Sequence, residues 1–177
     1  CRQLAQWQAA PETASLVLSV NVSARQFQDV AFVNDVRDAL ALSGAHPTGL
    51  KIELTEAVVM GNESHTLDCM NRLKALGVKL SLDDFGTGYS SLARLQRLPL
   101  DEIKIDRSFV CSGPPGGTDA LIVSAILAMS RSLDLSVVAE GVETQQQLDR
   151  LTVQGCTLFQ GYLFGSPSIA GRVMAPH

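Results

Sequence analysis

The chain has 177 residues, of which 46% are hydrophobic and 18% are charged, and its formal net charge is −4. This length allows one well-buried core but not two ordinary domains, and the composition is that of a soluble globular protein. The acidic balance argues against a general nucleic-acid surface, which needs a basic face, but an acidic protein can still bind a small phosphodiester whose charge is neutralised by metal ions.

The cysteines and the hydropathy pattern indicate a reduced compartment. Cys1, Cys69, Cys111 and Cys156 are scattered and form no C-x-x-C pair, a spacing that fits neither a disulfide framework nor a zinc site. The sequence has no apolar run of about 18 residues and no signal-peptide pattern at its start. We therefore expect a cytoplasmic domain, either free or carried by a membrane-anchored parent protein.

In chain order, short apolar segments alternate with longer amphipathic ones. Residues 1–9 are predicted to be the end of a helix, so the true start of the domain is expected upstream. The predicted strands are Leu16–Ser23, Leu50–Thr55, Lys79–Asp84, Glu102–Asp106, Ser136–Glu140 and Thr157–Phe164. The predicted helices are Phe27–Ser43, Ser64–Leu76, Ser90–Leu98, Asp119–Leu133 and Thr144–Gln154. This alternation predicts βα units and a parallel sheet.

Alternation within the strands separates two possible folds. In the first strand Val20 and Val22 share one face and Asn21 lies on the other, and three further strands show the same apolar and polar faces. A doubly wound sheet covers both faces with helices, so its central strands are continuously apolar. Strands that bury one apolar face against helices and turn a polar face to the interior instead favour a TIM-like (β/α) barrel. Because a complete barrel has eight strands in about 250 residues, we predict an incomplete barrel that lacks its N-terminal strands.

One internal segment, Cys111–Thr118 (CSGPPGGT), has the composition of a linker. Its Gly and Pro residues exclude helix and strand. Because it closely follows a predicted strand, we predict a mobile loop at the barrel mouth and not a domain boundary. Residues 1–177 are then expected to form a single domain.

Polar side chains stand at or near the C-terminal ends of all the predicted strands. They are Asn21, Glu53, Asp83, Asp84, Lys104, Asp106, Glu140 and Gln160. Active sites of (β/α) barrels are built at that end. Crowded carboxylates raise each other's pKa, and this cost falls if divalent cations lie among them. Oxygen ligands suit Mg²⁺ or Mn²⁺ better than zinc, and the histidines lie away from the strand ends.

The adjacent acids Asp83 and Asp84 need a special backbone. Neighbouring strand residues point to opposite faces, so both can serve one site only where the strand ends, and we predict that Phe85–Ser91 makes the turn. Two metal ions bridged by an acid are suited to in-line attack on a phosphodiester. Lys104, on the same face, could hold or deprotonate the attacking water or stabilise charge on the phosphoryl oxygens.

Each of these residues has an ordinary alternative. A single strand-end acid can be a helix cap, and Lys104 can be a salt-bridge partner within the barrel. The consistent polar strand ends taken together favour an active or ligand site, metal-dependent and of the phosphoryl type.

Several blocks resemble the EAL domain family, the cyclic-di-GMP-specific phosphodiesterases. They occur in family order and are Val20–Ser23 with Gln26-Phe27, Glu53–Glu56, Asp83–Leu92, Leu98-Pro99, Lys104–Asp106 with Ser108–Val110, Ala139–Thr144, and Gln160–Tyr162 with Phe164. The block Asp83–Leu92 (DDFGTGYSSL) is the most specific of them.

The resemblance implies a role for each matching residue. Asn21, Glu53, Asp83 and Glu140 would be direct metal ligands, and Asp84 would complete the position of a second Mg²⁺ or Mn²⁺ ion. Lys104 would orient or activate the water, next to the catalytic ligand Glu140. Asp106, Glu143 and Gln160 would contact substrate and water, and Glu56 would anchor the loop Phe85–Ser91.

The implied reaction is hydrolysis of cyclic-di-GMP to linear pGpG. The resemblance also implies a homodimer and a parent protein with regulatory domains, such as a GGDEF or sensor domain. Six of eight barrel strands, and about three-quarters of the domain, would be present.

One departure from the family pattern concerns the start of the domain. The Glu-Ala-Leu tripeptide that names the family, and whose Glu is a metal ligand, does not occur. Either the chain begins late, or a partner chain fills the gap, or the chain is inactive as it stands. We expect poor turnover by this chain alone.

Two other functions remain open at this stage: a receptor that binds cyclic-di-GMP without cleaving it, and a dimerising regulatory module that uses the open sheet edges. The intact ligand positions favour the enzyme.

Overall fold

A computed structural model describes residues 1–88, 92–111 and 117–168. The chain divides into two compact units. The described part of the first comprises Cys1–Leu80 with Pro167 and Ser168, and the second runs from Ser81 to Ser166.

The first unit is a parallel strand pair with helices around it. Strands β1 (Leu18–Asn21) and β2 (Leu50–Thr55) pair in parallel, and Asn21 lies opposite Glu53. The helices are α1 (Arg2–Ala9), α2 (Ala24–Phe27), α3 (Phe32–Ser43), α4 (Glu56–Val59) and α5 (Glu63–Ala75), with a 3₁₀ turn at Pro47–Gly49. Side chains from α1, β2 and α5 form the core, and Leu4, Leu54 and Leu73 are completely buried in it.

The predicted helix Phe27–Ser43 is confirmed over α3, but its predicted start is wrong, because Phe27 ends the separate helix α2 and α3 begins only at Phe32. Helix α2 begins with a capping box, in which the Ser23 hydroxyl accepts the Gln26 N–H and the Gln26 side chain accepts the Ser23 N–H. The break follows from Asp29, whose carboxylate accepts the Ala31 N–H at 2.9 Å. Such a local bond offers the backbone an alternative to the helix.

The second unit is a parallel sheet flanked by helices. Strand β3 (Lys79–Phe85, within this unit from Ser81) pairs with β4 (Glu102–Ile105), β4 with β5 (Ser136–Ala139) and β5 with β6 (Leu158–Phe159). The helices are α6 (Leu92–Leu95), α7 (Arg107–Cys111), α8 (Thr118–Ser132) and α9 (Gln145–Val153). Aliphatic side chains from β3, β4 and the helices fill the core, with Ile103 and Ile105 completely buried.

The six predicted strands are confirmed as elements, although the last is reduced to Leu158–Phe159. Helices α4 and α7 were not predicted; each is short and directly follows a strand. Of the predicted loop Cys111–Thr118, residues 112–116 lie outside the described residues, as do residues 89–91 of the predicted turn. None of the described helices is both long and apolar enough to span a membrane.

Burial of the strand faces differs from the prediction at β1. Val20 is 40% exposed, so its predicted burial under helices is wrong. The reason is the position of β1, which within the described part of the first unit pairs with β2 alone. In the second unit the polar face is itself buried, since Ser81, Glu102 and Lys104 are each no more than 5% exposed.

Among the glycines whose surroundings the structure describes, Gly161 is the most crowded. A Cβ there would meet the backbone N and O of Val142, which itself bonds to Gln160 and Leu163 on either side. We expect Gly161→Ala to lower the free energy of unfolding by about 1–3 kcal/mol, because backbone cannot move aside as a side chain can. Urea denaturation measures the change.

Gly165→Ala is the matched control, because Gly165 also has a positive φ, of 144°, but a Cβ there meets nothing within 4 Å. An equal loss in both variants would contradict the explanation by crowding.

Candidate active site

A β-bulge in β3 brings the two adjacent acids to one place. Leu82 lies opposite Ile103 and Phe85 opposite Ile105, so the two residues between them, Asp83 and Asp84, face Lys104 alone. The backbone of Asp84 is left-handed, with φ 55°, a conformation that Asp and Asn tolerate better than most residues. The strand thus continues through Phe85, and the prediction that it ends at the acid pair is wrong. The bulge, and not the end of the strand, therefore brings both acids to one site.

Hydrogen bonds within the segment stabilise the bulge. The Asp84 N–H donates to Asp83 Oδ1 at 3.0 Å, and the Thr87 hydroxyl donates to the Asp84 carbonyl at 2.9 Å. These bonds supply partners for the N–H and the carbonyl of Asp84, at the point where the strand pairing is interrupted.

Lys104 joins two of the predicted acids. Its Nζ lies 2.6 Å from Glu140 Oε1 and 3.4 Å from Asp83 Oδ1, and the lysine is 4% exposed. The position of Glu140 follows from strand pairing, because its N–H donates to the Ile105 carbonyl at 3.1 Å. A buried ammonium between two carboxylates makes this end of the sheet a charged and ordered site.

Three carboxylates form a group that can hold a cation. Oxygens of Asp83, Asp84 and Glu140 all lie within 4.8 Å of one another. An all-carboxylate set is of the hard oxygen type that binds Mg²⁺ or Mn²⁺. The donor set on the second unit therefore fits a divalent ion of this class.

The pKa of Asp84 is raised. Partial burial is the main cause, followed by the negative charges of Asp83 and Asp106, although part of the Asp84 side chain is open to solvent. The part of the shift that comes from Asp83 and Asp106 reflects the crowding of acids at this end of the sheet.

The pKa of Asp106 moves in the opposite direction. Burial acts to raise it, but hydrogen bonds from the Ser108 hydroxyl and from the backbone of Ser108 and Arg107 prevail, so the pKa is lowered. The Ser108 N–H lies 2.9 Å from Asp106 Oδ1. Asp106 thus stays anionic at this end of the sheet and contributes to the raised pKa of Asp84.

The remaining predicted residues of the second unit follow β5 and β6. Gln160 is exposed and held by its backbone, since its N–H donates to Ala139 at 2.9 Å and its carbonyl accepts from Val142 at 3.0 Å. Glu143 is also exposed, and its N–H donates to Gln147 Oε1 at 2.8 Å. Gln160 therefore directly follows β6, as predicted, and Glu143 lies four residues after the end of β5.

Three predicted residues belong to the first unit. Asn21 ends β1 and is exposed, and Glu53, opposite it on β2, is 6% exposed. The Val22 N–H donates to the Glu53 carbonyl at 3.0 Å and extends the pairing past Asn21. Glu56 begins α4 and is 6% exposed. Its predicted contact with Phe85–Ser91 involves residues outside the described ones and stays a prediction.

Sequence reasoning missed residues that support the site. Ser108 sets the charge of Asp106, and the sequence offered a signal for it, since a Ser two residues after an Asp commonly donates to that Asp. Ser81 and Glu102, which hydrogen-bond one layer below Asp83 and Lys104, shared the polar parity of their strands, so their spacing could have identified them.

Comparison with known proteins agrees with the geometry. The EAL domain family matches residues 1–167. MucR of Pseudomonas aeruginosa, a bifunctional diguanylate cyclase/cyclic di-GMP phosphodiesterase, is 45% identical over 175 residues, which are 99% of this chain and 25% of MucR. NbdA of the same organism, a cyclic di-GMP phosphodiesterase, is 49% identical over 152 residues, which are 86% of this chain and 19% of NbdA. The chain thus spans a quarter or less of these curated relatives.

Solved structures confirm the predicted fold class. The chain superposes on the PaMucR phosphodiesterase in complex with c-di-GMP with a TM-score of 0.91 and 45% identity, covering 97% of this chain and 74% of that one. For Klebsiella pneumoniae BlrP1 in a manganese and cy-diGMP complex, the TM-score is 0.84 at 32% identity, covering 96% and 43% of the two chains. The fold is the predicted incomplete TIM-like (β/α) barrel, and the chain belongs to the EAL domain family.

Proposed function

We propose that the intact EAL domain, of which this chain is part, hydrolyses one phosphodiester bond of cyclic-di-GMP and releases linear pGpG. The observation that carries the proposal is the buried ammonium of Lys104, paired with Asp83 and Glu140 beside the carboxylate of Asp84. Relatives of 45% and 49% identity are named cyclic di-GMP phosphodiesterases, which supports the same substrate here.

Two Mg²⁺ or Mn²⁺ ions are part of the proposal. Asp83, Asp84 and Glu140 would hold them from the second unit, and the resemblance to the family adds Asn21 and Glu53 from the first. When bound, such ions activate water and neutralise charge on a phosphodiester. The manganese and cy-diGMP complex of BlrP1 supports a divalent metal of this class.

Other side chains of the protein would position the water and the substrate. Lys104, fixed by two ion pairs, orients the attacking water and holds positive charge near the phosphoryl oxygens. Asp106 is kept anionic by Ser108 and accepts hydrogen bonds from water or substrate. The exposed side chains of Glu143 and Gln160 contact the substrate from the ends of neighbouring strands.

The wider setting is also proposed. Both compact units belong to one EAL domain, which the family match over residues 1–167 supports. The protein acts in the cytoplasm, in keeping with its four free cysteines, and forms a homodimer with regulatory domains such as GGDEF or sensor domains in the parent protein. The name of MucR, which includes diguanylate cyclase activity, supports such a combination.

The intact EAL domain is expected to convert cyclic-di-GMP to pGpG in the presence of Mg²⁺ or Mn²⁺. Chromatography of the reaction mixture measures the product, and removal of the metal with EDTA should stop its formation. Tight binding of cyclic-di-GMP without pGpG at any metal concentration would contradict the enzyme and indicate a receptor.

Replacement of the buried cation tests the mechanism. We expect Lys104→Met to lower kcat by at least about a hundredfold, because it removes the group that orients the water and leaves Asp83 and Glu140 facing each other. Glu53→Ala is expected to abolish turnover as well. Lys79→Met, a half-buried lysine at the start of β3, is the matched control. Normal turnover in both site variants, with folding verified by denaturation, would exclude the mechanism.

Substitutions at Asp84 separate its charge from its backbone conformation. We expect Asp84→Asn to keep the fold, because Asn tolerates a left-handed backbone, but to weaken Mn²⁺ binding by at least about tenfold. Asp84→Ala should weaken binding similarly and also lose about 1–2 kcal/mol of unfolding free energy. Calorimetric Mn²⁺ titration and urea denaturation measure the two effects. Unchanged Mn²⁺ affinity in Asp84→Asn would remove Asp84 from the ligand set.

A further inference from the structure

The bulge in β3 has a hydrogen-bonded pair directly before it. The Ser81 hydroxyl donates to Glu102 Oε1 at 2.9 Å, and the two residues are direct partners in the β3–β4 register. Ser81 is completely buried and Glu102 is 5% exposed. We call Ser81 and Glu102 the register pair. A hydrogen bond to a carboxyl in such a setting is stronger and more directional than one at the surface.

The register pair lies on the same face as the candidate active site. Strand side chains alternate, so Ser81 is one layer below Asp83 on β3, and Glu102 is one layer below Lys104 on β4. Above it the two strands stay in register at Leu82 and Ile103, and then two residues of β3 face one of β4. The site therefore begins two residues after this polar contact between the two strands.

A bulge needs something that fixes where its extra residue falls. A slip of one residue sends every side chain of a strand to the opposite face. Here a slip would turn one of the two acids away from Lys104. The next pair along, Leu82 with Ile103, is aliphatic on both sides, so its side chains form no hydrogen bond that would oppose such a slip. The hydrogen bond of the register pair does, because it breaks if β3 moves relative to β4.

We propose that Ser81 and Glu102 are positioning residues, which hold the β3–β4 register so that Asp83 and Asp84 both face Lys104. As far as it concerns metal binding, the inference rests on the proposed function. Neither residue is proposed to touch substrate. Their effect passes through the bulge, whose Asp84 backbone is left-handed and has to be held in that state by its surroundings.

Three serine variants test the pair. Ser81→Ala removes the donor, Ser81→Thr keeps a hydroxyl on a residue suited to strands, and Ser136→Ala is the control. Ser136 makes a hydrogen bond of the same length, 2.9 Å, from β5 to the Asp101 carbonyl, on the side of β4 that does not pair with β3. Glu102→Gln keeps an acceptor oxygen and removes the charge, so it separates the hydrogen bond from the charge.

The first measurement is hydrogen exchange of the backbone amides of Asp83–Phe85 in the purified protein, without metal or substrate. We expect Ser81→Ala to speed exchange at these amides by about tenfold or more, because the loss of one buried hydrogen bond shifts a local equilibrium by that factor. Ser81→Thr and Glu102→Gln should stay close to the wild type, and Ser136→Ala should leave these amides unchanged.

The second measurement is calorimetric binding of Mn²⁺ alone. We expect about tenfold weaker binding in Ser81→Ala, with recovery in Ser81→Thr. Wild-type exchange at Asp83–Phe85 in Ser81→Ala would overturn the inference, as would equal acceleration of these amides in Ser136→Ala. If the wild type binds no Mn²⁺ or forms no pGpG, the proposed function fails, while the exchange measurement still decides whether the register pair holds the bulge.

Discussion

The buried ammonium of Lys104 is the charge on which the acidic end of the second unit depends. Three carboxylates lie within 4.8 Å of one another there, and Lys104 makes ion pairs with two of them. Like charges this close repel strongly when water is excluded, and an unpaired buried charge costs several kcal/mol. Lys104 offsets the repulsion of Asp83 and Glu140, whereas burial and the negative charges of Asp83 and Asp106 raise the pKa of Asp84. The same two ion pairs hold the ammonium in place. They therefore both neutralise the acids and fix the orientation of Lys104.

The bulge explains how consecutive residues come to share one site. A regular strand would direct Asp83 and Asp84 to opposite faces. One extra residue on β3, with the left-handed backbone of Asp84, places both against Lys104. Such a conformation persists only where its surroundings fix it. Here the surroundings are the Asp83 and Thr87 hydrogen bonds within the segment and the Ser81–Glu102 bond before it. The left-handed backbone of Asp84 and the placement of both acids against Lys104 therefore have the same cause, the bulge in β3.

Much of this arrangement could be predicted, because alternation and strand ends are properties of the sequence itself. Period-2 patterns located the strands, and Lys104 and Glu140 were placed together because parallel strands bring their C-terminal ends to one edge. The bulge could not be predicted, because two adjacent acids look alike in a regular strand and in an interrupted one, and only pairing with β4 distinguishes them. The exposure of Val20 was missed for a similar reason, since burial depends on neighbours that the strand's own pattern does not specify.

The pKa values of Asp84 and Asp106, two aspartates at the same end of the sheet, are shifted in opposite directions. Both are partly buried, which by itself raises the pKa of each. Ser108 reverses the direction for Asp106 by donating hydrogen bonds to its charged form, whereas Asp84 has the negative charges of Asp83 and Asp106 beside it. The pKa of Asp106 is thus lowered, whereas that of Asp84 is raised. A proton and a metal cation both bind to the carboxylate oxygens and compete for them. The hydrogen bond that holds Asp106 anionic therefore also increases the attraction of the site for any cation, and a divalent ion neutralises more of the surplus charge than a proton does.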